Sequence, residues 1–167
     1  LWLVQSPAKG GRDEQALEQS TEVGVQRVIA LAAERCVVRW EGAKREKALA
    51  RWQKIHHEAS KQALQPRLAE LSYAPSLEQL LSDNPEVTWL LLDHHAAHSL
   101  SEISPSALPT DQPIGVIVGP EGGWSDRERE LCAAQSVRAV RLGPGVLRSS
   151  SAGPIALALV HQQLGHW

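Results

Sequence analysis

The chain has 167 residues, 43% of them hydrophobic and 22% charged, and a formal net charge of −2. That length suits one domain with a real core and is too short for two ordinary ones, and the composition excludes wholesale disorder. The charge excludes a basic nucleic-acid footprint spread over the whole chain, leaving only a local one within Arg35 to Arg67.

Six Trp stand beside one Tyr and no Phe, Met is absent, and the chain opens on Leu1, which reads as a processed product or a fragment of a longer protein. Cys36 and Cys132 lie far apart and match no zinc or redox spacing, so the expected setting is a reducing cytoplasm. The longest apolar runs, near Trp89–Leu92 and Ile155–Val160, are far too short to span a membrane, and no membrane partner is expected.

A first helix is predicted over Arg12–Val23, with Gly24 placed to relieve a left-handed turn at its end. The β-branched run Val25–Ala32 predicts a buried strand. The clearest helix is Ala43–Leu64, where Ala48, Trp52, Ile55, Ala59 and Ala63 form one apolar stripe and Pro66 stops the pattern. Its other faces carry Lys44, Arg45, Lys47, Arg51, Lys54 and Lys61, which read first as a solvated face and second as a local basic patch. A weak strand is expected at Arg67–Leu71, a short helix at Ser76–Leu81 and a strong strand at Val87–Leu92. Ser99–Gln112 reads as a loop with one helical turn. Ile114–Val118 is a continuous apolar run, the mark of a strand covered on both faces. A helix after Ser125, a strand at Val137–Leu142 and a terminal helix at Ala152–Leu164 complete the chain. This alternation predicts an α/β fold with a mainly parallel sheet.

The most informative segment runs from the Ile114–Val118 strand into Gly119-Pro120-Glu121-Gly122-Gly123, where a helix begins at once. Ser125 is a good N-cap and Glu128 completes a capping box. The glycines allow a tight turn and close approach to a ligand, and ligands in parallel α/β sheets sit beyond the carboxyl ends of strands. No Gly-Lys-Ser/Thr follows, and Pro120 and Glu121 break the dinucleotide pattern, so neither a Walker loop nor a dinucleotide fold is indicated. A tight turn without a ligand is the plainer use of the same glycines. A second such loop, Leu142-Gly143-Pro144-Gly145-Val146-Leu147-Arg148, leads into Ser149-Ser150-Ser151, one of which is expected to cap the last helix. Arg148 is the only charge between Leu142 and His161, and its place beside a glycine turn makes it a candidate functional residue.

Together the two loops resemble the RsmE-type 16S rRNA (uracil-N3) methyltransferases of the SPOUT superfamily. The family's Gly-Pro-Glu-Gly-Gly-aromatic-Ser signature stands here as Gly119 to Ser125, and its Leu-Gly…Leu-Arg run, followed by Thr-Glu-Thr-Ala, as Leu142 to Ala152. Lys9-Gly10, Thr21 to Val25, Glu34-Arg35-Cys36 and Trp52 to Ile55 also match, so the resemblance covers nearly the whole chain in order.

The resemblance implies a SPOUT domain over residues 1–167, a parallel sheet with helices on both faces and a C-terminal trefoil knot, an exception to the rule against threading. It implies a homodimer, an N-terminal PUA-like RNA-binding barrel before residue 1, and 16S rRNA or the small ribosomal subunit as partner. It implies S-adenosylmethionine as cofactor, held by Gly119, Pro120, Glu121, Gly122, Gly123, Leu142, Gly143, Val146, Leu147 and Ser149. Arg148 would face the substrate, holding a phosphate or the uracil carbonyls. Ser150 stands at the family's Glu position, and its loss of a carboxylate puts proton handling in question. A ribose 2′-O-methyltransferase of the same superfamily, or a non-catalytic RNA- or nucleotide-binding knot, remains as alternative.

Other arrangements are weaker. His94, His95 and His98 read as a polar turn before they read as a metal site, and His56-His57 do not share a helix face. No Gly-x-Ser-x-Gly elbow supports a hydrolase. Trp124 is placed to cover a ligand beside its glycine loop, while Trp2 and Trp167 are expected to pack, with a dimer contact as one option.

Overall fold

A computed structural model describes residues 1–167. Six strands, β1 (Trp2–Gln5), β2 (Arg27–Leu31), β3 (Glu70–Ala74), β4 (Thr88–Leu92), β5 (Ile114–Val118) and β6 (Arg138–Val140), form one sheet in the order β3-β2-β1-β5-β4-β6. Every pairing is parallel. Four helices connect strands, α1 (Arg12–Glu22), α2 (Gly42–Gln62), α3 (Leu77–Asp83) and α4 (Asp126–Ala134), and α5 (Ser149–Gln163) follows β6. None is long and apolar enough to cross a membrane.

Side chains alternate across the pleat and so build two cores. Leu3, Val28, Ala30, Leu90, Val116 and Val118 face α1, α2 and α5 and pack with Leu17, Trp52 and Leu157. Val4, Ile29, Leu31, Trp89, Leu91 and Ile117 face α3 and α4 and pack with Leu77, Leu80, Leu81 and Cys132. The sheet is thus covered by helices on both faces, and all five residues of β5 are buried.

One glycine is explained by its neighbour rather than by a turn. Gly115 pairs in register with Trp89, and a Cβ there would lie 2.1 Å from the indole.

Several sequence expectations shift. β3 starts at Glu70, not Arg67, because pairing begins only where Arg27 of β2 stands opposite. β6, an edge strand, covers three residues rather than Val137–Leu142. The 99–112 loop holds two 3₁₀ turns, Leu100–Glu102 and Pro105–Ala107. The last helix begins at Ser149, so the serines lie inside its first turn; Arg148 is the N-cap residue and makes no side-chain cap.

The buried face of α2 also turns toward His56 and Ser60, while Ala48 and Ile55 are half-buried. His56 finds partners that offset its burial. Its Nε2 accepts the Ala69 N–H at 2.7 Å, so Nδ1 carries the proton and donates to Thr21 Oγ1 at 2.8 Å. Thr21 in turn donates to the Leu17 carbonyl at 2.8 Å. Burial, then the charge of His57, pushes the His56 pKa down.

Candidate functional site

The loops leaving β4, β5 and β6, with the first turn of α5, enclose a cavity of about 540 Å³ at the carboxyl edge of the sheet. This is where ligands bind in parallel α/β sheets, and the size suits a small organic molecule. Gly119 to Gly123 form one wall, and Leu142, Val146, Leu147, Arg148 and Ser149 form another. Two candidates stand apart from it: Gly143 is not on the cavity wall, and Ser150 is buried in the first turn of α5.

The glycine loop after β5 is shaped from inside the protein. A Cβ at Gly119 would lie 2.7 Å from the Trp124 indole, and one at Gly122 would lie 3.0 Å from the Arg35 carbonyl oxygen. Gly123 adopts φ +70°, a left-handed conformation that glycine takes without strain. Trp124, expected to cover a ligand, does line the cavity, yet it is 2% exposed and also serves as a brace, its Nε1–H donating to the Leu92 carbonyl at 2.9 Å. The indole has to satisfy its one donor when buried, and the end of β4 offers the acceptor. Ser125 and Glu128 form the expected capping box at α4. Glu128 also accepts the Glu34 N–H at 3.0 Å, which ties the loop to the β2–α2 connection.

Charge on the wall is mostly committed. Glu121 pairs with Arg12. Asp93 accepts from Arg129 Nε at 2.7 Å and from the His95 N–H at 3.0 Å. Burial would raise the Asp93 pKa, but these bonds to Arg129 and His95 outweigh it and hold the carboxyl below its usual range. Arg141 donates to the Ala96 and Ala97 carbonyls and pairs with Glu102 at 3.5 Å. Arg148 alone among the lining arginines stands in no ion pair, and it is exposed. Ser149 Oγ is buried on the wall without a hydrogen-bond partner. An unsatisfied buried hydroxyl costs about 1–3 kcal/mol, a cost that a ligand donor or acceptor would remove.

Arg12, Asp93, His94 and Arg141 are wall residues that the loop motifs did not point to. His94 carried a signal in the His94–His98 cluster, Asp93 as a carboxylate ending an apolar strand, and Arg141 directly precedes the second loop. The His94 and His95 rings lie 3.8 Å apart and His98 faces Glu102 at 3.4 Å. No group of three or more His, Cys, Asp or Glu side chains is arranged to hold a metal ion. Cys36 and Cys132 are free and buried, and burial pushes the Cys132 thiol up to about 12. Burial raises the Cys36 thiol as well, and a raised pKa disfavours the reactive thiolate in both.

A cavity walled by two glycine loops and a helix N-terminus can grip a small ligand through backbone groups, with one free cation beside it. Comparison with known proteins agrees with that reading. The model of the RNA methyltransferase domain family matches residues 1–161. The chain belongs to this family. Within it, the chain is 32% identical to ribosomal RNA small subunit methyltransferase E of Mycobacterium bovis over 99% of its own length and 64% of the relative's. A methyltransferase structure from Legionella pneumophila, in complex with bound cofactor SAM, superposes with a TM-score of 0.88 at 30% identity, over 96% of this chain and 65% of that one. Ribosomal RNA small subunit methyltransferase E from Neisseria gonorrhoeae, bound to S-adenosyl methionine, gives 0.80 at 32% identity, over 96% and 65%. The chain therefore spans about two thirds of the length of the family members it matches here.

Proposed function

We propose that this chain is the cofactor-binding, catalytic part of an S-adenosylmethionine-dependent 16S rRNA methyltransferase that acts on N3 of a specific uridine. The observation that carries the reading is the cavity at the ends of β4, β5 and β6, walled by both glycine-rich loops, with uncommitted Arg148 beside it. The relatives named for the small-subunit RNA and solved with SAM support it.

The cavity fits the cofactor. Ser149 Oγ lacks a partner, Gly145 leaves open space where a Cβ would stand, and backbone groups of Gly119–Gly123 and Leu142–Leu147 can take the adenine and ribose. When bound, S-adenosylmethionine supplies an electrophilic methyl group. The chain's own task is to align the acceptor with it and to manage charge. Arg148 holds a phosphate or the uracil carbonyl oxygens, whose negative charge grows as N3 gives up its proton to solvent water at this exposed side of the cavity. Asp93, locked by Arg129, keeps the turn after β4 in place.

The finer topology belongs to the same proposal. α5 leaves the β6 edge and packs back against α1, β1 and β5, an arrangement compatible with a trefoil knot. A homodimer, a PUA-like domain preceding residue 1 in the whole protein, and a cytoplasmic location complete the reading; the 64% share of the M. bovis relative supports the second. A non-catalytic knot has one observation in its favour: Ser150 is buried, and both wall carboxylates, Asp93 and Glu121, are engaged.

Titration calorimetry of the intact protein with S-adenosylmethionine tests the cavity, and absence of binding refutes both enzyme readings. Mass spectrometry of rRNA from a deletion strain tests the reaction. Loss of one base methyl from 16S rRNA is expected; loss of a ribose methyl would point to the 2′-O reaction and no change to a binding-only knot.

A further inference from the structure

The charges outside every ion pair are sorted by the fold. Lys9 follows β1, Arg35 and Arg39 lie in the β2–α2 connection, and Lys44, Arg45 and Lys47 occupy the first turns of α2. All six are exposed, and none stands within an ion pair. Because every strand is parallel, these segments all begin at the carboxyl edge of the sheet, the edge that holds the cavity. The rim is joined to the cavity wall at two points. Arg12, just beyond Lys9, pairs with Glu121, and Gly122 packs against the Arg35 backbone.

Four free carboxylates lie at the opposite edge. Glu22, Asp83, Glu86 and Asp111, none in an ion pair, sit in segments that enter β2, β4 and β5 at the amino edge. Glu41 and Glu46 are free within the rim, Asp13 is buried in the first turn of α1, and Glu18, Glu128 and Glu130 lie along α1 and α4, also outside any ion pair. Of the other free cations, Arg67 and Arg138 stand toward the amino edge and Lys54 lies partway along α2. Six unpaired cations gathered along one edge repel one another, a cost that a polyanion would relieve.

We infer that the rim formed by Lys9, Arg35, Arg39, Lys44, Arg45 and Lys47 carries the sugar–phosphate backbone of RNA toward the cavity. The inference rests on the proposed rRNA reading and adds the surface. Phosphate contacts position an RNA without reading its sequence. Lysines and arginines on a helix and adjoining loops, spaced along one edge, are suited to that role, while the glycine-walled cavity receives the base.

The test uses the intact protein and unmodified 16S rRNA transcribed in vitro. Binding is measured from low to high salt for wild type, for Arg35→Gln/Lys44→Gln/Lys47→Gln, and for the control Lys54→Gln/Arg67→Gln/Arg138→Gln. Each lost phosphate contact makes the plot of log K against log salt shallower by about 0.7–0.9. The rim variant is expected to bind at least about tenfold more weakly near physiological salt, with a slope shallower by about two, and the control to match wild type. Calorimetry should find S-adenosylmethionine binding unchanged in the rim variant. Unaltered RNA affinity and slope in the rim variant, or an equal loss in the control, would overturn the inference. Failure of the wild type to bind S-adenosylmethionine overturns the methyltransferase reading instead.

Discussion

Gly115 has no side chain because Trp89 fills the space beside it on β4. Gly115→Ala is expected to destabilise the protein by at least about 2 kcal/mol, since overpacking a rigid core forces indole or backbone to move. Urea titration would check this, and a midpoint equal to wild type would refute it. Arg148 tests function in the opposite way. It is exposed and unpaired, so Arg148→Ala should leave the melting temperature unchanged while abolishing restoration of the 16S methyl in a deletion strain. His56 tests pH. Its folded pKa lies below the unfolded value, so the unfolded chain takes up the proton first as pH falls. Its contribution to stability is therefore present above about pH 6.5 and declines below it. Wild type should lose stability between pH 8 and pH 5.5, and His56→Gln should lose less over the same interval. Parallel losses in the two proteins would refute the assignment.

At the scale of elements, the loop after β5 is held by its own Trp124. Trp124→Phe keeps most of the apolar mass but removes the donor to the Leu92 carbonyl, with an expected loss of about 1 kcal/mol from that bond. It should also weaken S-adenosylmethionine binding, because the turn that Trp124 supports is a cavity wall; unchanged affinity in calorimetry would count against that role. The strong elements were legible because their patterns are local. The capping box at Ser125 and Glu128, the apolar run of β5 and the glycine after α1 each declare themselves within a few residues. β3 was displaced because its start depends on β2 offering a partner, a fact no window around Arg67 contains. The serine cap failed for a related reason. A run of three caps fits the sequence, yet the helix starts one residue after Arg148. Within the site, the two glycine loops were visible as motifs. Arg12 was not, because it reaches the cavity from α1 only through folding, whereas Arg141 stands directly before the second loop.

Over the whole molecule, a net charge of −2 conceals an uneven distribution, with most of the unpaired cations gathered at one edge of the sheet. Composition reports the sum alone, so the rim could not be seen before the strands were known to be parallel. The cavity likewise belongs to the entire fold, and its occupation should be felt globally. With S-adenosylmethionine at 100 times its Kd, the folded state should gain about 2.7 kcal/mol. For a domain of this size that is a rise in Tm of roughly 5–11 °C. A thermal melt with and without cofactor checks this, and an unchanged Tm would contradict occupancy of the folded state. The order in which the cavity is assembled has a consequence of its own. Arg12 lies near the start of the chain, while Leu142 to Ala152 lie near its end and α5 closes the wall. A ribosome making this protein exposes the first half of the fold long before any cavity exists. A chain cut before α5 loses Ser149 and Ala152 from the wall and the helix that packs on α1, β1 and β5, so it is expected to hold cofactor more weakly than the full chain.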